Sequence, residues 1–515
     1  MVKIIIGNIY SKIVGYLPEI VHQDLDTFLS YKVQNARFMP SVKRKEWDGW
    51  VRLYKKNGQS FYTGLLSFVR ETLTKHQIEF QKEDRRIKPE QNRPDLKFNP
   101  PPNYEERDYQ DYTITKAMQY TRGILGVSTG GGKTVIISRL IGEIKTVPFM
   151  FYVLTKDLMD QAYQYMRTTL NCPIGRIGDG IVDIQPINVC TIQTAVLALN
   201  WGNPKIDIKQ YMFDDEDQWK EKQIANIEDI KAVRELIRNA KGIYVDEAHH
   251  VSAKTSQAVL IASENAYWRF GGSATPYRED NADLLIQAMF GVKIVDISAS
   301  YLIKRKMLVK PYVFLEPIDS DANYHSWKKI YENSIVKNKQ LNDHVAETVK
   351  HLTSKGLSVL VLVQQYAQGD YLKSIIPDSE FMTSRLNSDQ RLEVLEKLRS
   401  KQMMCAIAST LADEGVDLPS LDCVIMAGGG KSSTRIFQRI GRTLRKNKTN
   451  TKTQSIVVIY EHNARYLDNH AKRIRRLLKR EKEFVIIPSR GPKFILDEIN
   501  KVLGEKETTQ QFFEL

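Results

Sequence analysis

Short, uninterrupted apolar runs, each followed by a helical pattern, constrain this chain more than any other feature. They include Gly123-Ile124-Leu125-Gly126-Val127, Phe149-Met150-Phe151-Tyr152-Val153-Leu154, Ile187-Asn188-Val189-Cys190 and Gly242-Ile243-Tyr244-Val245. After about residue 299 the rhythm returns in Ser358-Val359-Leu360-Val361-Leu362-Val363, Cys405-Ala406-Ile407-Ala408, Cys423-Val424-Ile425-Met426 and Ile456-Val457-Val458-Ile459. Continuous rather than alternating hydrophobicity predicts strands buried on both faces, which means parallel sheets covered by helices. The expected fold class is therefore α/β, with two tandem doubly wound parallel-sheet domains over 104–298 and 299–515.

A chain of 515 residues exceeds one hydrophobic core, so a further domain is expected ahead of this pair. Residues 1–82 mix short β-rich and helical runs, beginning with the strand-like Lys3-Ile4-Ile5-Ile6. Asn57-Gly58 between Val51–Tyr54 and Phe61-Tyr62 predicts a hairpin. Pro89, Pro94 and Pro100-Pro101-Pro102 then predict an extended, semi-rigid linker over 83–103. Residues 203–240, with Asp214-Asp215-Glu216-Asp217 and a stripe at Ile227, Ile230, Val233 and Leu236, read as an insertion in the first α/β domain.

No apolar run reaches the length of a membrane span, no signal-peptide architecture stands at the N-terminus, and the four cysteines form no C-x-x-C pair. A cytoplasmic location follows as an expectation, host cytoplasm if the gene is viral. Cys190 and Cys405 are expected in the core. The formal net charge of +14 points to a polyanionic partner.

Three segments carry chemistry. Thr129-Gly130-Gly131-Gly132-Lys133-Thr134 lies between a predicted strand and a helix. Glycines there let backbone N–H groups close around phosphates, Lys133 reaches the β and γ phosphates, and the Thr134 hydroxyl suits Mg²⁺. The full phosphate-loop pattern fails at one place, since position 127 is Val. Asp246-Glu247-Ala248-His249 ends an apolar strand, so its acids emerge at the carboxyl edge where α/β sheets bind ligands. Asp246 would hold Mg²⁺ and Glu247 would orient and deprotonate the attacking water. Gln438-Arg439-Ile440-Gly441-Arg442-Thr443-Leu444-Arg445 in the second α/β domain would supply cations against γ-phosphate charge, with Arg442 and Arg445 on one helical face. ATP and Mg²⁺ are the expected cofactors.

In this order the three segments resemble superfamily 2 helicases, whose motor consists of two RecA-like domains. The resemblance implies further roles: Arg107 and Gln110 as adenine-reading residues, and Thr155, Lys156, Thr191 and Gln193 as strand contacts. It also implies Ser273 and Thr275 of Ser-Ala-Thr-Pro, with His249, as the coupling group. In the second domain it implies Ser409 as a phosphate-backbone contact, and Gly415 and Asp417 near the nucleotide. Within the superfamily the chain resembles the UvsW-type phage recombination helicases, which remodel branched DNA. Phe38-Met39-Pro40 and Glu46-Trp47-Asp48-Gly49-Trp50 resemble their small N-terminal domain, which implies that residues 1–82 grip DNA through Trp47; a packed Trp beside a tight turn is the equal alternative. The tetrad Asp-Glu-Ala-His and the 203–240 insertion depart from that group.

The implied activity is ATP-dependent unwinding and branch migration on forked, junction or single-stranded DNA, by a monomer without a membrane partner. Basic residues from Lys472 to Lys482 predict a C-terminal amphipathic helix facing phosphates. An RNA helicase stays open, because motor motifs touch backbone rather than sugar. A nucleotide-gated clamp and a restriction-type translocase subunit are further alternatives.

Overall fold

The structure, a computed structural model, describes residues 1–102, 104–200, 227–252, 254–274, 283–320, 326–383, 385–386, 388–409, 421–428, 440–441, 443–446, 452–489 and 491–511. Two compact units emerge: Met1–Val127 with Gly132–Ile297, and Ser128–Gly131 with Ser298–Leu515.

The first unit holds an eight-stranded sheet ordered Ile181–Asp183, Ile174–Gly178, Ile187–Thr191, Phe149–Val153, Gly242–Val245, Trp268–Ser273, Arg122–Val127, Lys293–Ile297. All neighbours run parallel except the edge pair Ile174–Gly178 with Ile181–Asp183. Phe149–Val153, Ile187–Thr191 and Gly242–Val245 are buried at every position, as continuous hydrophobicity requires of strands covered on both faces. Register sets where loops emerge: Val245 lies beside Gly271, and Ser273 beside Gly126. The residues following Val127, Val245 and Ser273 therefore leave the same carboxyl edge in adjacent positions.

The N-terminal sheet obeys the other rule. Its order is Tyr54–Lys55, Ser60–Tyr62, Tyr10–Val14, Val2–Ile6, Phe80–Asp84. Along Val2–Ile6 and Tyr10–Val14 burial alternates, so Val2, Ile4, Ile6 and Ile13 face helices Glu19–Phe28 and Leu66–Lys75 while their neighbours face out. The hairpin expected at Asn57-Gly58 is present with Tyr54 opposite Phe61, but its turn is a short 3₁₀ segment, Lys56–Gly58, followed by left-handed Gln59.

The segment 83–103 does not act as a free spacer. Phe80–Asp84 is the sheet's edge strand, and the prolines that follow lie against the motor sheet's periphery. There Arg93 N donates to Lys145 O, Asn99 N to Thr169 O, and Lys97 N to Asn171 Oδ1, with Leu96 fully buried. Prolines reduce regular pairing, yet the N–H groups of Arg93, Lys97 and Asn99 all bond to motor oxygens, so the backbone here is packed backbone. The N-terminal domain is seated equally firmly. Gly64 is required at its contact, since a β-carbon would stand 2.0 Å from the Gln287 carbonyl oxygen. The buried Arg122 guanidinium donates to Asn8 O, Met289 O and Phe290 O at 3.0–3.1 Å, and one hydrophobic cluster runs from Val2 to Phe290.

Residues 203–226 lie outside the described residues. The remainder of the expected insertion is an ordinary helix, Ile227–Asn239, burying Ile230, Val233, Leu236 and Ile237 against the motor core, while Ile227 is exposed.

The second unit has seven parallel strands ordered Ser379–Met382, Cys405–Ala408, Val359–Leu362, Cys423–Met426, Gln454–His462, Lys310–Ile318, Val485–Pro488. Cys405 and Cys423 are buried within it, as Cys172 and Cys190 are in the first. The C-terminal basic helix spans Arg465–Leu478 and buries Ile474, Leu477 and Leu478. Two of its cations are committed locally, Arg475 to Glu461 and Lys472 to Asp468. No helix among the described residues is long and apolar enough to cross a membrane.

Candidate nucleotide and coupling site

Lys133 opens helix Lys133–Ile144 directly after Gly132, whose φ of 78° puts the loop's last residue in the left-handed region. The helix start directs its unpaired N–H groups, and the positive end of its dipole, toward any phosphate in the loop. Gly132 has a second reason to be glycine: a β-carbon there would lie 2.8 Å from Gln110 Nε2. Gln110 is 2% exposed, and its Oε1 accepts from the Tyr104 hydroxyl at 3.0 Å. Tyr104 in turn accepts from Arg139, whose other nitrogen donates to Asp111 at 2.5 Å. Arg107 donates to the Tyr109 hydroxyl at 3.1 Å. The expected adenine-reading glutamine is thus locked beside the phosphate loop. Tyr104 and Arg139, which hold it, went unnoticed in the sequence; the one available signal was their spacing from Gln110 and Lys133.

From Lys133 a chain of side chains crosses the carboxyl edge. Its Nζ donates to Glu247 Oε1 at 2.8 Å, the two side chains being 17% and 16% exposed. His249 Nδ1 lies 3.3 Å from Glu247 Oε2 and 3.1 Å from Ser273 Oγ. Glu247 itself sits at φ 50°, a left-handed conformation that costs a non-glycine residue about 1–3 kcal/mol and clusters at functional sites. Burial raises the Glu247 carboxyl, but Lys133 and His249 outweigh it and hold the group ionised well below the usual carboxylate range. Burial pushes Asp246 the other way, upward, with Lys133 opposing and Glu247 reinforcing the rise.

Asp246 Oδ1 is buried without a hydrogen-bond partner. A buried carboxylate oxygen left so favours a cation, and with the Thr134 hydroxyl on the first helical turn it forms a fitting pair for Mg²⁺ carried by the nucleotide. Thr129, Gly130 and Gly131 form the turn of the loop, Gly131 N donating to Ser128 O at 3.0 Å.

Several of the expected strand contacts also make hydrogen bonds within the protein. Thr155 caps helix Lys156–Thr169, its hydroxyl accepting from Leu158 N. Thr191 is buried, and its hydroxyl meets Thr194 Oγ1 at 2.8 Å and accepts from Thr194 N. Gln193 donates to Leu154 O at 2.7 Å, tying two strand ends together. Lys156 pairs with Asp179 at 2.6 Å and remains 42% exposed. Ser409 is buried, its hydroxyl without a hydrogen-bond partner. Trp47 donates its Nε1 to Trp50 O at 2.8 Å, and Asp48 Oδ1 accepts from Trp50 N across Gly49, so the half-buried ring is held beside a tight turn. Thr275, Gly415, Asp417, Gln438 and Arg442 lie outside the described residues; Arg445 is partly buried in the second unit.

Parallel α/β sheets in tandem, with a Gly-Lys-Thr loop, an acid pair and Ser273-Ala274 leaving one sheet edge side by side, define a superfamily 2 helicase motor. Family models agree: residues 103–278 match "Type III restriction enzyme, res subunit" and residues 337–447 match "Helicase conserved C-terminal domain". The chain belongs with the superfamily 2 helicases. Among relatives, it is 26% identical over 387 residues to the inferred helicase 22 of Sulfolobus islandicus filamentous virus, covering 70% of this chain and 65% of that protein. The match thus spans slightly under two thirds of the viral relative. It is 24% identical over 385 residues to the DNA 3'-5' translocase XPB2 of Sulfurisphaera tokodaii, covering 66% of this chain and 79% of that one. Among solved structures, UvsW of bacteriophage T4 aligns over 95% of this chain and 98% of its own at 18% identity and a TM-score of 0.44.

Proposed function

We propose that this chain is an ATP-driven DNA helicase and translocase that unwinds and remodels branched DNA, acting as a monomer in the cytoplasm. The observation that carries the motor reading is the run of adjacent side chains Lys133–Glu247–His249–Ser273, hydrogen-bonded at its two ends and with His249 Nδ1 3.3 Å from Glu247 Oε2 between them. A phosphate arriving at the loop competes for Lys133 and frees Glu247, and the loss is felt through His249 at Ser273. The path thus joins the nucleotide to the segment leading to Thr275.

In this reading the loop glycines and Lys133 bind the phosphates, and Glu247, kept ionised, accepts a proton from the attacking water. Arg445 and Arg442 neutralise charge developing on the γ-phosphate. Bound Mg²⁺, held by Asp246 and Thr134, would supply further neutralisation. Gln110, Arg107, Gly415 and Asp417 complete nucleotide binding.

DNA is favoured over RNA by the relatives' printed names, among them a DNA 3'-5' translocase. Branched substrates are favoured by the sequence resemblance of residues 38–53 to the N-terminal domain of UvsW-type enzymes. The test is ATP turnover by the full chain with single-stranded DNA, duplex, fork, four-way junction and RNA. Strongest stimulation by fork and junction is expected. Stimulation by RNA alone would replace this reading with an RNA helicase.

A further inference from the structure

A second concave site on the first unit shares no residue with the nucleotide site. A groove of about 800 Å³ opens where the N-terminal domain meets helix Lys254–Ala262. That volume falls within the roughly 300–1,000 Å³ typical of sites for organic ligands.

Its lining combines two chemistries. Tyr10, Tyr31, Trp47 and Tyr62 line it, together with the cations Lys55 and Lys254, and none of the described lining residues is acidic. The Tyr10 and Tyr62 rings stand 4.8 Å apart, and Tyr10 is 44% exposed. The hydrogen bond from Trp47 Nε1 to Trp50 O fixes that ring before any ligand arrives, so little ordering cost remains for stacking. Arg52, also on the lining, is held by Asp48 at 2.6 Å. Lys55 and Lys254, by contrast, have no acidic partner within 4 Å among the described residues.

Preset aromatic faces beside uncompensated ammonium groups match a chain of alternating flat bases and phosphates. Duplex DNA hides its base faces, so it offers the rings nothing to stack on. We infer that this groove binds unpaired nucleotides of a single strand, bases against Tyr10, Tyr62 and Trp47 and phosphates against Lys55 and Lys254. The inference rests on the nucleic-acid reading above and deepens it: the strand would be held jointly by the N-terminal domain and the motor, not by a tethered domain acting alone.

The test measures binding of fluorescent oligothymidine, oligouridine and hairpin duplex by the full chain and by Tyr10→Ala, Lys254→Glu and Lys350→Glu, the last carrying the same charge change on helix Lys339–Ser354. Tyr10→Ala should weaken oligothymidine binding roughly 5- to 150-fold, the range for losing one base-stacking ring. Lys254→Glu should weaken it and flatten its salt dependence, while Lys350→Glu and duplex binding change little. Equal loss for uridine marks the groove as blind to sugar and agrees with the proposal. Wild-type-like strand binding by both groove variants, or equal loss of duplex, overturns it. If the unmodified protein binds no nucleic acid, the motor reading itself has failed. Photocrosslinking of 4-thiothymidine oligomers to the unmodified protein gives a variant-free check: adducts at Tyr10, Trp47 or Tyr62 support the groove, and adducts confined elsewhere refute it.

Discussion

Replacing Glu247 by Gln separates what Lys133 does before and after a nucleotide arrives. At 2.8 Å and an effective dielectric constant near 20, the pair's gross Coulomb attraction is about 6 kcal/mol. Desolvation cancels much of it, leaving a net contribution closer to the ~1.5–3 kcal/mol of a charge-assisted hydrogen bond. ATP must displace this contact to engage Lys133. Glu247→Gln keeps the side-chain outline but removes the charge that competes with phosphate, so nucleotide affinity should rise by roughly 10- to 100-fold. Hydrolysis should fall by about 10²–10⁴, the range for losing a general base. A fluorescent ATP analogue followed at equilibrium gives the first quantity, and single-turnover hydrolysis with saturating strand gives the second. Weaker nucleotide binding in the variant would refute the competition argument, and turnover within threefold of the unmodified protein would remove Glu247 as the base.

Gly132→Ala should abolish nucleotide binding and also lower stability by about 1–3 kcal/mol, because its β-carbon meets Gln110 in a left-handed backbone position; equilibrium binding and calorimetry check both halves. Arg442→Ala and Arg445→Ala should each reduce hydrolysis by roughly 10³-fold or more with nucleotide affinity retained, as read by steady-state turnover against binding. Arg122→Met leaves the carbonyls of Asn8, Met289 and Phe290 without their donor, at about 1–3 kcal/mol each if water cannot reach them; limited proteolysis should release the N-terminal domain sooner. His462 is buried with its pKa pushed down to about 4. A depressed histidine contributes stability that is complete above its unfolded pKa near 6.5 and lost as pH falls toward 4, up to about 3 kcal/mol. His462→Gln should flatten that part of the unfolding profile.

The strands and the acid pair were legible because continuous apolar runs and a terminal Asp-Glu leave little freedom: a parallel strand must end where its carboxylates can reach solvent and ligand. Lys133, Glu247, His249 and Ser273 come together through register, which sequence spacing across Val245 and Ser273 implies only once strand order is known. Contacts fixed by packing were not legible. Thr155 and Thr191 each accept a backbone N–H three residues on, at a helix start that spacing alone does not reveal. Proline content over 83–103 signalled extended backbone correctly, but composition cannot tell backbone that crosses solvent from backbone laid on a neighbouring sheet. Tyr104 and Arg139 escaped because their value is wholly in meeting Gln110 from two different segments.

The seating of Gly64 on the Gln287 carbonyl, with Arg122 bonded across the same seam, turns the N-terminal domain into a fixture rather than a passenger. The joint has no free β-carbon space at its closest point, and the Arg122 guanidinium, anchored on the motor carbonyls of Met289 and Phe290, sends one hydrogen bond across it to Asn8 O. Trp50 and Phe38, both exposed, therefore stand on a domain that is fixed to the first motor domain at this seam. The fit is set at one glycine: a bulkier residue at position 64 would meet the Gln287 and Ala288 carbonyls and force the two surfaces apart.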